Sequence, residues 1–214
     1  MPSWSIVVPA KRLAVAKTRL RPLTAGLDNG DAVHRSLVLA LLADTVSAAA
    51  ECTAVGEVIV VTDDPAAAEV VARLGARTVA DEPDDGLNPA LEHGARSARA
   101  AAVAALSSDL PALRPAELAA VLMAAGELPR AFVADAHGTG TTLLTAVGTD
   151  LRPRFGTGSA EAHRAAGALP LAGPWPGLVH DVDTPADLRA ALALGVGPRT
   201  TSVLEQVRSD GSEP

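Results

Sequence analysis

The stretch "EVIVVTDDPAAAEVVARLGARTVA", residues 57–80, decides the fold class. Residues 57–62 form a short apolar run rich in β-branched side chains, the mark of a buried strand. Asp64-Pro65 then offers a carboxylate acceptor at a helix N-cap and a proline for the first turn. An Ala- and Val-rich helix over 65–74 follows, and "ARTVA", 76–80, reads as a second strand. A strand, a capped helix and another strand in close succession build a parallel sheet with helices on its faces.

The same alternation extends outward along the chain. Strands are expected at 4–8, 103–107, 130–134, 142–147 and 177–182, and helices at 31–51, 88–101, 115–125, 159–167 and 184–194. Pro115 opens one of these helices, and Thr184-Pro185-Ala186-Asp187 resembles a capping box. The pair 130–134 and 142–147, joined by "DAHGTGT", breaks the alternation and predicts an antiparallel excursion. The expected fold is α/β: a mostly parallel mixed sheet with helices on both faces, in a single domain over 1–197. A polar, frayed tail is expected over 198–214.

Composition narrows the class. The chain has 214 residues, a formal net charge of −7, two Trp, two Phe and no Tyr. Aliphatic side chains suffice for a core, because burial scales with apolar area rather than with rings. The single cysteine, Cys52, excludes an intrachain disulfide and a cysteine metal site, and is expected as a small buried hydrophobe. An apolar N-terminus without a charged leader, and no membrane-length run free of polar interruption, predict a soluble cytoplasmic protein without a membrane partner. Net acidity argues against general nucleic-acid binding, but not against one local basic site.

One basic segment stands out. "VVPAKRLAVAKTRLRPL", 7–23, holds Lys11 and Lys17, the only two lysines, in a chain whose other cations are arginines, a bias that suits a GC-rich genome. Lysine acts on phosphoryl oxygens as a compact, mobile point charge, so a loop after the first strand carrying both lysines is a candidate phosphate contact. As a plainer reading, the segment is a solvated basic face.

Ligands of open α/β sheets collect beyond the carboxyl ends of the strands. Asp109 in "SSDLPAL" ends one strand, and Asp181 and Asp183 in "HDVDTPADL" lie two apart, on one face of a continuing strand. Singly, Asp109 starts a turn and Asp183 precedes a cap. Together, three converging carboxylates require a cation, and oxygen-only ligands suit Mg²⁺. "RFGTGSAEAH", 154–163, runs from a glycine-rich turn into a helix with Ser159 at the expected N-cap, an anion site through its backbone N–H groups. In "HGTGTT" small residues admit a ligand and Thr141 could donate a hydroxyl, although the segment also reads as a plain hairpin turn. Asn88 stands either to read a base edge or to cap a helix. The histidines lack metal-ligand spacing, His180 beside Asp181 being the one to watch, and no G-x-S-x-G, Walker A or G-x-G-x-x-G motif is present.

Assembled in order, "PAKRLAVAKTRL", "GLNPAL", "SSDLPAL", "FVADAHGTGTTLL", "RFGTGSAEAH" and "GLVHDVDTPADL" resemble the guanylyltransferases of coenzyme F-420 biosynthesis, which use phosphoenolpyruvate or 2-phospho-L-lactate. The resemblance implies a nucleotide-diphospho-sugar-transferase-like fold, similar to the molybdenum-cofactor guanylyltransferases. Here Val8-Pro9-Ala10-Lys11 replaces the glycine-rich loop of those relatives. It also implies that Asp109, Asp181 and Asp183 hold Mg²⁺, that Thr141, Gly156 and Ser159 contact phosphoenolpyruvate, and that Pro9, Ala10, Lys11, Lys17 and Asn88 lie on the GTP side. Lys17 and Asp109 are then the catalytic pair. An acceptor phosphate oxygen attacks the α-phosphorus of GTP and pyrophosphate leaves, with Lys17, helped by Lys11 or Arg21, neutralising the triphosphate from the side opposite the metal. The partners implied are GTP, a small phosphorylated three-carbon acid, and a next pathway enzyme that receives the product in a transient hand-off. Two alternatives stay open: a nucleotidyltransferase of the same fold acting on a sugar phosphate or molybdopterin, and a non-catalytic nucleotide-binding protein.

Overall fold

The computed structural model describes residues 3–10, 16–82 and 84–210. Lys11 lies outside them. Strand β1 (Trp4–Pro9) is buried on both faces along nearly its whole length, as expected of a central parallel strand. It pairs in parallel with β2 (Val55–Val61) on one side and with β4 (Ala102–Leu106) on the other. The short β3 (Arg77–Val79) extends the sheet beyond β2. Past β4 come β6 (Thr141–Val147), antiparallel to both neighbours, then β5 (Arg130–Ala134), then β7 (Leu169–Leu171). The order is β3-β2-β1-β4-β6-β5-β7. The opening stretch folds as expected: helix α2 (Pro65–Arg73) links β2 to β3, and the Asp64 carboxylate accepts the N–H groups of Ala66 at 3.0 Å and Ala67 at 3.2 Å.

Alternate residues of β1 face different cores. Ile6 and Val8 pack with Leu42 and Val46 of α1 (Gly30–Ala50), Val71 of α2, and Leu118, Val121 and Leu122 of α4 (Pro115–Ala125). Val7 faces Leu91 of α3 (Leu87–Arg96) and Ala160 of α5 (Ser159–Ala165) in the second core. The other side of α1 is covered too: Leu37 and Leu41 meet Leu188 of α7 (Pro185–Leu194) and partly buried Leu204 of α8 (Pro198–Asp210). By length and composition α1 could cross a membrane, contrary to the expectation that no such stretch exists, yet 67% of its most apolar window is buried inside the fold. It is the core helix of a three-layer stack.

Residues 169–171, which were expected in no element, form β7, and two further segments differ from expectation. Residues 177–182 do not form a strand. Pro176 opens the one-turn helix α6 (Pro176–Val179), and Gly177 lies so close to the turn before α4 that an added Cβ would stand 2.2 Å from the Ala112 carbonyl oxygen. The Gly177 N–H is taken by the Glu117 carboxylate at 3.2 Å, so the backbone is satisfied without a sheet partner. Residues 198–210 do not fray: their polar sequence forms α8. Buried Asp44 of α1 accepts the N–H groups of Arg199 at 3.2 Å and Thr200 at 2.8 Å, capping the helix from a distant part of the chain.

Replacing Asp44 with alanine removes two charge-assisted hydrogen bonds and should lower stability by about 2 kcal/mol. Hydrogen exchange should rise most in residues 198–210. Unchanged exchange there would show that apolar contact alone holds α8.

Candidate active site

The sheet reverses its winding at β1, which is flanked by β2 and β4, and this topological switch point is where open α/β sheets bind ligands. A cleft of about 490 Å³ opens there. Pro9 and Ala10 from the end of β1, and Ser107, Ser108 and Asp109 from the end of β4, line one part; Leu87 and Leu91 of α3, with Phe155, line another. Lys17, Arg19 and Asp183 stand at it as well.

Asp109 is 7% exposed, and its turn is pinned from three sides. The Val182 N–H donates to the Asp109 carbonyl at 3.0 Å, the Leu110 N–H donates to the Thr45 hydroxyl of α1 at 2.9 Å, and the Gly197 N–H donates to the Pro111 carbonyl at 2.8 Å. Asp181 and Asp183 flank Val182, which is fully buried, so one backbone hydrogen bond brings their loop against Asp109. Behind it, the expected capping box forms. The Thr184 N–H donates to the Asp187 carboxylate at 2.8 Å, and the Asp187 N–H to the Thr184 hydroxyl at 3.3 Å.

Lys17 sits among these acids rather than facing them. Its ammonium donates to Asp109 and, at 2.6 Å, to Asp183. Burial alone would lower the Lys17 pKa, but Asp109 and Asp183 outweigh it and raise it, so the group stays charged. Burial pushes the Asp109 carboxyl up against the pull of Lys17. Asp181 is pushed up to about 7 by burial and by its neighbours Asp109 and Asp183. One ammonium therefore does not neutralise the carboxylates gathered here. Lys17 itself has φ +52°, a left-handed conformation unusual for a side chain with a Cβ. The preceding residue is tied down: buried His34 donates its Nε2–H to the Ala16 carbonyl at 3.1 Å.

The hairpin and α5 form a second centre beside the cleft. Asp135 caps the hairpin turn, accepting the N–H groups of Thr139 at 3.0 Å and Gly140 at 2.9 Å, and its charge also raises Asp181. The Ala160 N–H donates to the Thr139 carbonyl at 3.1 Å, and Thr141 Oγ1 lies 2.9 Å from His163 Nδ1. Thr141, Gly156 and Ser159 are thus brought together, although none of them lines the cleft itself. Ser159 is not the N-cap of α5; Gly158 is, at φ +71°, and Gly156 at φ +130° precedes it, conformations that glycine adopts freely. The Ser159 and Ala160 N–H groups are already bonded to the carbonyls of Gly156 and Thr139, so the helix start is not the open anion cradle that the sequence suggested.

Asn88 is neither a cap nor a free base reader. Its amide donates to the Phe155 carbonyl at 3.1 Å and accepts the Phe155 N–H at 2.8 Å, a clip that joins α3 to the glycine-rich turn. Arg21 pairs with Asp31 at 2.7 Å and does not line the cleft, whereas Arg19 does. His180 donates from Nδ1 to the Pro176 carbonyl at 2.8 Å, a structural bond within its own turn. Among the described residues no three His, Cys, Asp or Glu groups stand as a ready cation site. The donor chemistry of Asp109, Asp181 and Asp183 fits a hard divalent cation, and the ammonium of Lys17 bridges two of them. Sequence reasoning missed His34, Thr45, Phe155 and His163. Only His163 carried a usable signal, lying four residues after Ser159 and so on one helix face.

A switch-point cleft on a seven-stranded mixed sheet, with Asp109, Asp183 and the half-buried Lys17 at it, has the architecture of a nucleotide-diphospho-sugar-transferase-like fold. A putative nucleotide-diphospho-sugar transferase from Desulfovibrio desulfuricans superposes with a TM-score of 0.72 at 18% identity, over 98% of each chain. The chain belongs to the family described as "Guanylyl transferase CofC like", whose model matches residues 4–169. Among its relatives, the phosphoenolpyruvate guanylyltransferase of Geodermatophilus obscurus is 70% identical over 94% of both chains. That of Salinispora arenicola is 55% identical over 92% of this chain and 91% of its own.

His163 is 1% exposed, and burial followed by the Arg154 charge lowers its pKa to about 4. An unfolded histidine titrates near 6.5. Between these values the unfolded chain binds the proton and the folded one does not, so the stability associated with neutral His163 is complete above about 6.5 and is lost as pH falls toward about 4. Urea midpoints followed from pH 7 to 4 should fall more steeply for the wild type than for His163→Asn, and parallel curves would contradict a buried neutral ring.

Proposed function

We propose that this chain is a guanylyltransferase that joins GMP from GTP to the phosphate of phosphoenolpyruvate, releasing pyrophosphate, in coenzyme F-420 biosynthesis. The observation that carries this reading is 70% identity, over 94% of both chains, to a relative named phosphoenolpyruvate guanylyltransferase. The site is consistent with it. The cytoplasm is the compartment proposed, GTP and the three-carbon acid are the substrates, and hand-off of the product to a following enzyme belongs to the same reading.

The nucleotide occupies the cleft, where Pro9 and Ala10 at the end of β1 allow close backbone approach and Leu87 and Leu91 offer an apolar wall. The acceptor lies toward Thr141, Gly156 and Ser159. Its phosphate is ionised near neutral pH, so no general base is needed, and the protein's work is to orient two anions and offset their repulsion. Lys17 is the group suited to that work: a permanently charged ammonium on a flexible stem at the boundary between cleft and carboxylates. Asp109, Asp181 and Asp183 are the residues that would hold Mg²⁺, which when bound would supply positive charge to the phosphoryl oxygens. Asp109 and Asp183 also hold Lys17 in place, which sets the position of its ammonium before substrates arrive.

Replacing Lys17 with alanine should lower kcat/KM for GTP by about 30- to 1000-fold, the order seen when one preorganised electrostatic group is lost. The measurement is pyrophosphate release with phosphoenolpyruvate and Mg²⁺, and an unchanged value would remove Lys17 from the reaction. In the same assay Asp183→Asn should lose most activity. Running it with GTP or CTP, and with phosphoenolpyruvate, 2-phospho-L-lactate or a sugar phosphate, tests the substrates. Release with the sugar phosphate alone, or with no acceptor at all, would overturn the proposed function.

A further inference from the structure

We infer that His163 is a positioning residue that fixes the Thr141 hydroxyl as a hydrogen-bond donor to an anionic oxygen of the phosphorylated acid. This rests on the reading of Thr141 as a contact of that acid.

The protonation pattern follows from the partners. A backbone N–H can only donate, and that of Arg154 reaches His163 Nε2 at 2.8 Å, so Nε2 carries no proton. The neutral ring must then hold its proton on Nδ1, which lies 2.9 Å from Thr141 Oγ1 and donates to it. Protonating Nε2 would set two N–H groups against each other, in keeping with the depressed pKa of this ring. The opposite tautomer is excluded for the same reason.

A threonine hydroxyl has one proton and two lone pairs, and its rotor normally turns to suit its surroundings. Here one lone pair receives Nδ1–H. The Thr141 proton therefore cannot point at His163 and must be given elsewhere. Among the described residues His163 is the hydrogen-bond partner found for Thr141 Oγ1, so that proton is not spent within the protein. On the same strand, Thr145 donates to the Ala131 carbonyl at 3.1 Å, within the protein.

The ring is not free to turn away. Phe132 packs at 5.9 Å between ring centroids, and Phe155 meets it edge-on at 5.1 Å with an interplanar angle of 75°. Phe155 is held in turn by the Asn88 amide and lines the cleft. The chain Asn88, Phe155, His163, Thr141 thus runs from the nucleotide side to the acceptor side through packed or hydrogen-bonded contacts. Both ring nitrogens of His163 are spent on Thr141 and on the Arg154 N–H, which makes it a positioning group rather than a catalytic one.

Two measurements test the assignment. Long-range ¹H–¹⁵N correlation on the wild-type protein at neutral pH should give His163 a protonated, pyrrole-like Nδ1 and a bare, pyridine-like Nε2. The reverse pattern, or a doubly protonated ring, would overturn the inference and needs no variant that folds. Kinetically, Thr141→Val and His163→Leu should each raise KM for phosphoenolpyruvate about 10-fold, as loss of a hydrogen bond to a charged ligand implies, with KM for GTP moving far less. His163→Asn, which places an amide donor near the Nδ1 position, should regain most of that loss. The double variant Thr141→Val, His163→Leu should be no worse than Thr141→Val alone. Multiplying effects would show that His163 acts other than through Thr141 and would overturn its positioning role. An unchanged KM in Thr141→Val would instead remove the Thr141 contact on which the role depends, leaving the tautomer and the guanylyl transfer to their own tests.

Discussion

The site depends on a concentration of negative charge that the fold has to hold together. Asp109, Asp181 and Asp183 come from two loops that are far apart in the chain, and carboxylates at close range repel strongly once water is excluded. Two devices offset this. The Lys17 ammonium bridges Asp109 and Asp183, and the Val182 N–H bonds the Asp109 carbonyl at 3.0 Å. The residual repulsion shows in Asp181, whose carboxyl is pushed up to about 7 by burial and the neighbouring acids. A protein that only needed to be stable would avoid such a cluster, because apolar residues of equal volume commonly serve as well. Its place at a topological switch point agrees with the phosphate-handling role proposed for it.

Much of the surrounding architecture serves to hold that cluster in position. Thr45 of α1 and Gly197 anchor the turn after Asp109, and the Thr184–Asp187 capping box fixes the exit from the Asp183 loop. His34 holds Ala16, so Lys17 enters the site in a left-handed backbone conformation that costs energy on its own. On the other side, the Asn88–Phe155 clip and the His163–Thr141 bond tie the glycine-rich turn to both α3 and the hairpin. The proposed nucleotide and acceptor regions are therefore linked through fixed contacts, which is the arrangement that a reaction between two bound anions would gain from.

Several local signals in the sequence were read correctly, although the cap expected at Ser159 falls on Gly158. Asp64 caps α2 with the two N–H bonds its position predicts, Thr184 and Asp187 form their box, and Cys52 is buried at the end of α1. The run "GLVHDVD" misled because its apolar residues satisfy a strand pattern, while the burial of Leu178 and Val182 is supplied by α4 and the Asp109 turn rather than by a sheet neighbour. The polar tail misled for the converse reason: α8 has little apolar character of its own, and its start is stabilised by Asp44, more than a hundred residues earlier in the chain.

The charged cluster of Lys17, Asp109, Asp181 and Asp183 could be singled out by residue type, because acids two apart in a loop and a lysine in a lysine-poor chain are chemically conspicuous. Sequence alone thus determined the α/β class, the caps of α2 and α7 and which charged groups stand out, all of which follow from periodicity and from side-chain chemistry within a few residues. Tertiary structure decided which of those groups touch. Lys17 lies between the acids rather than opposite them, and Asn88 grips a backbone rather than a base. His163 gains its tautomer from the Arg154 N–H. Such facts depend on distances between segments that only the packed sheet and its helices bring together, and no local pattern encodes a distance.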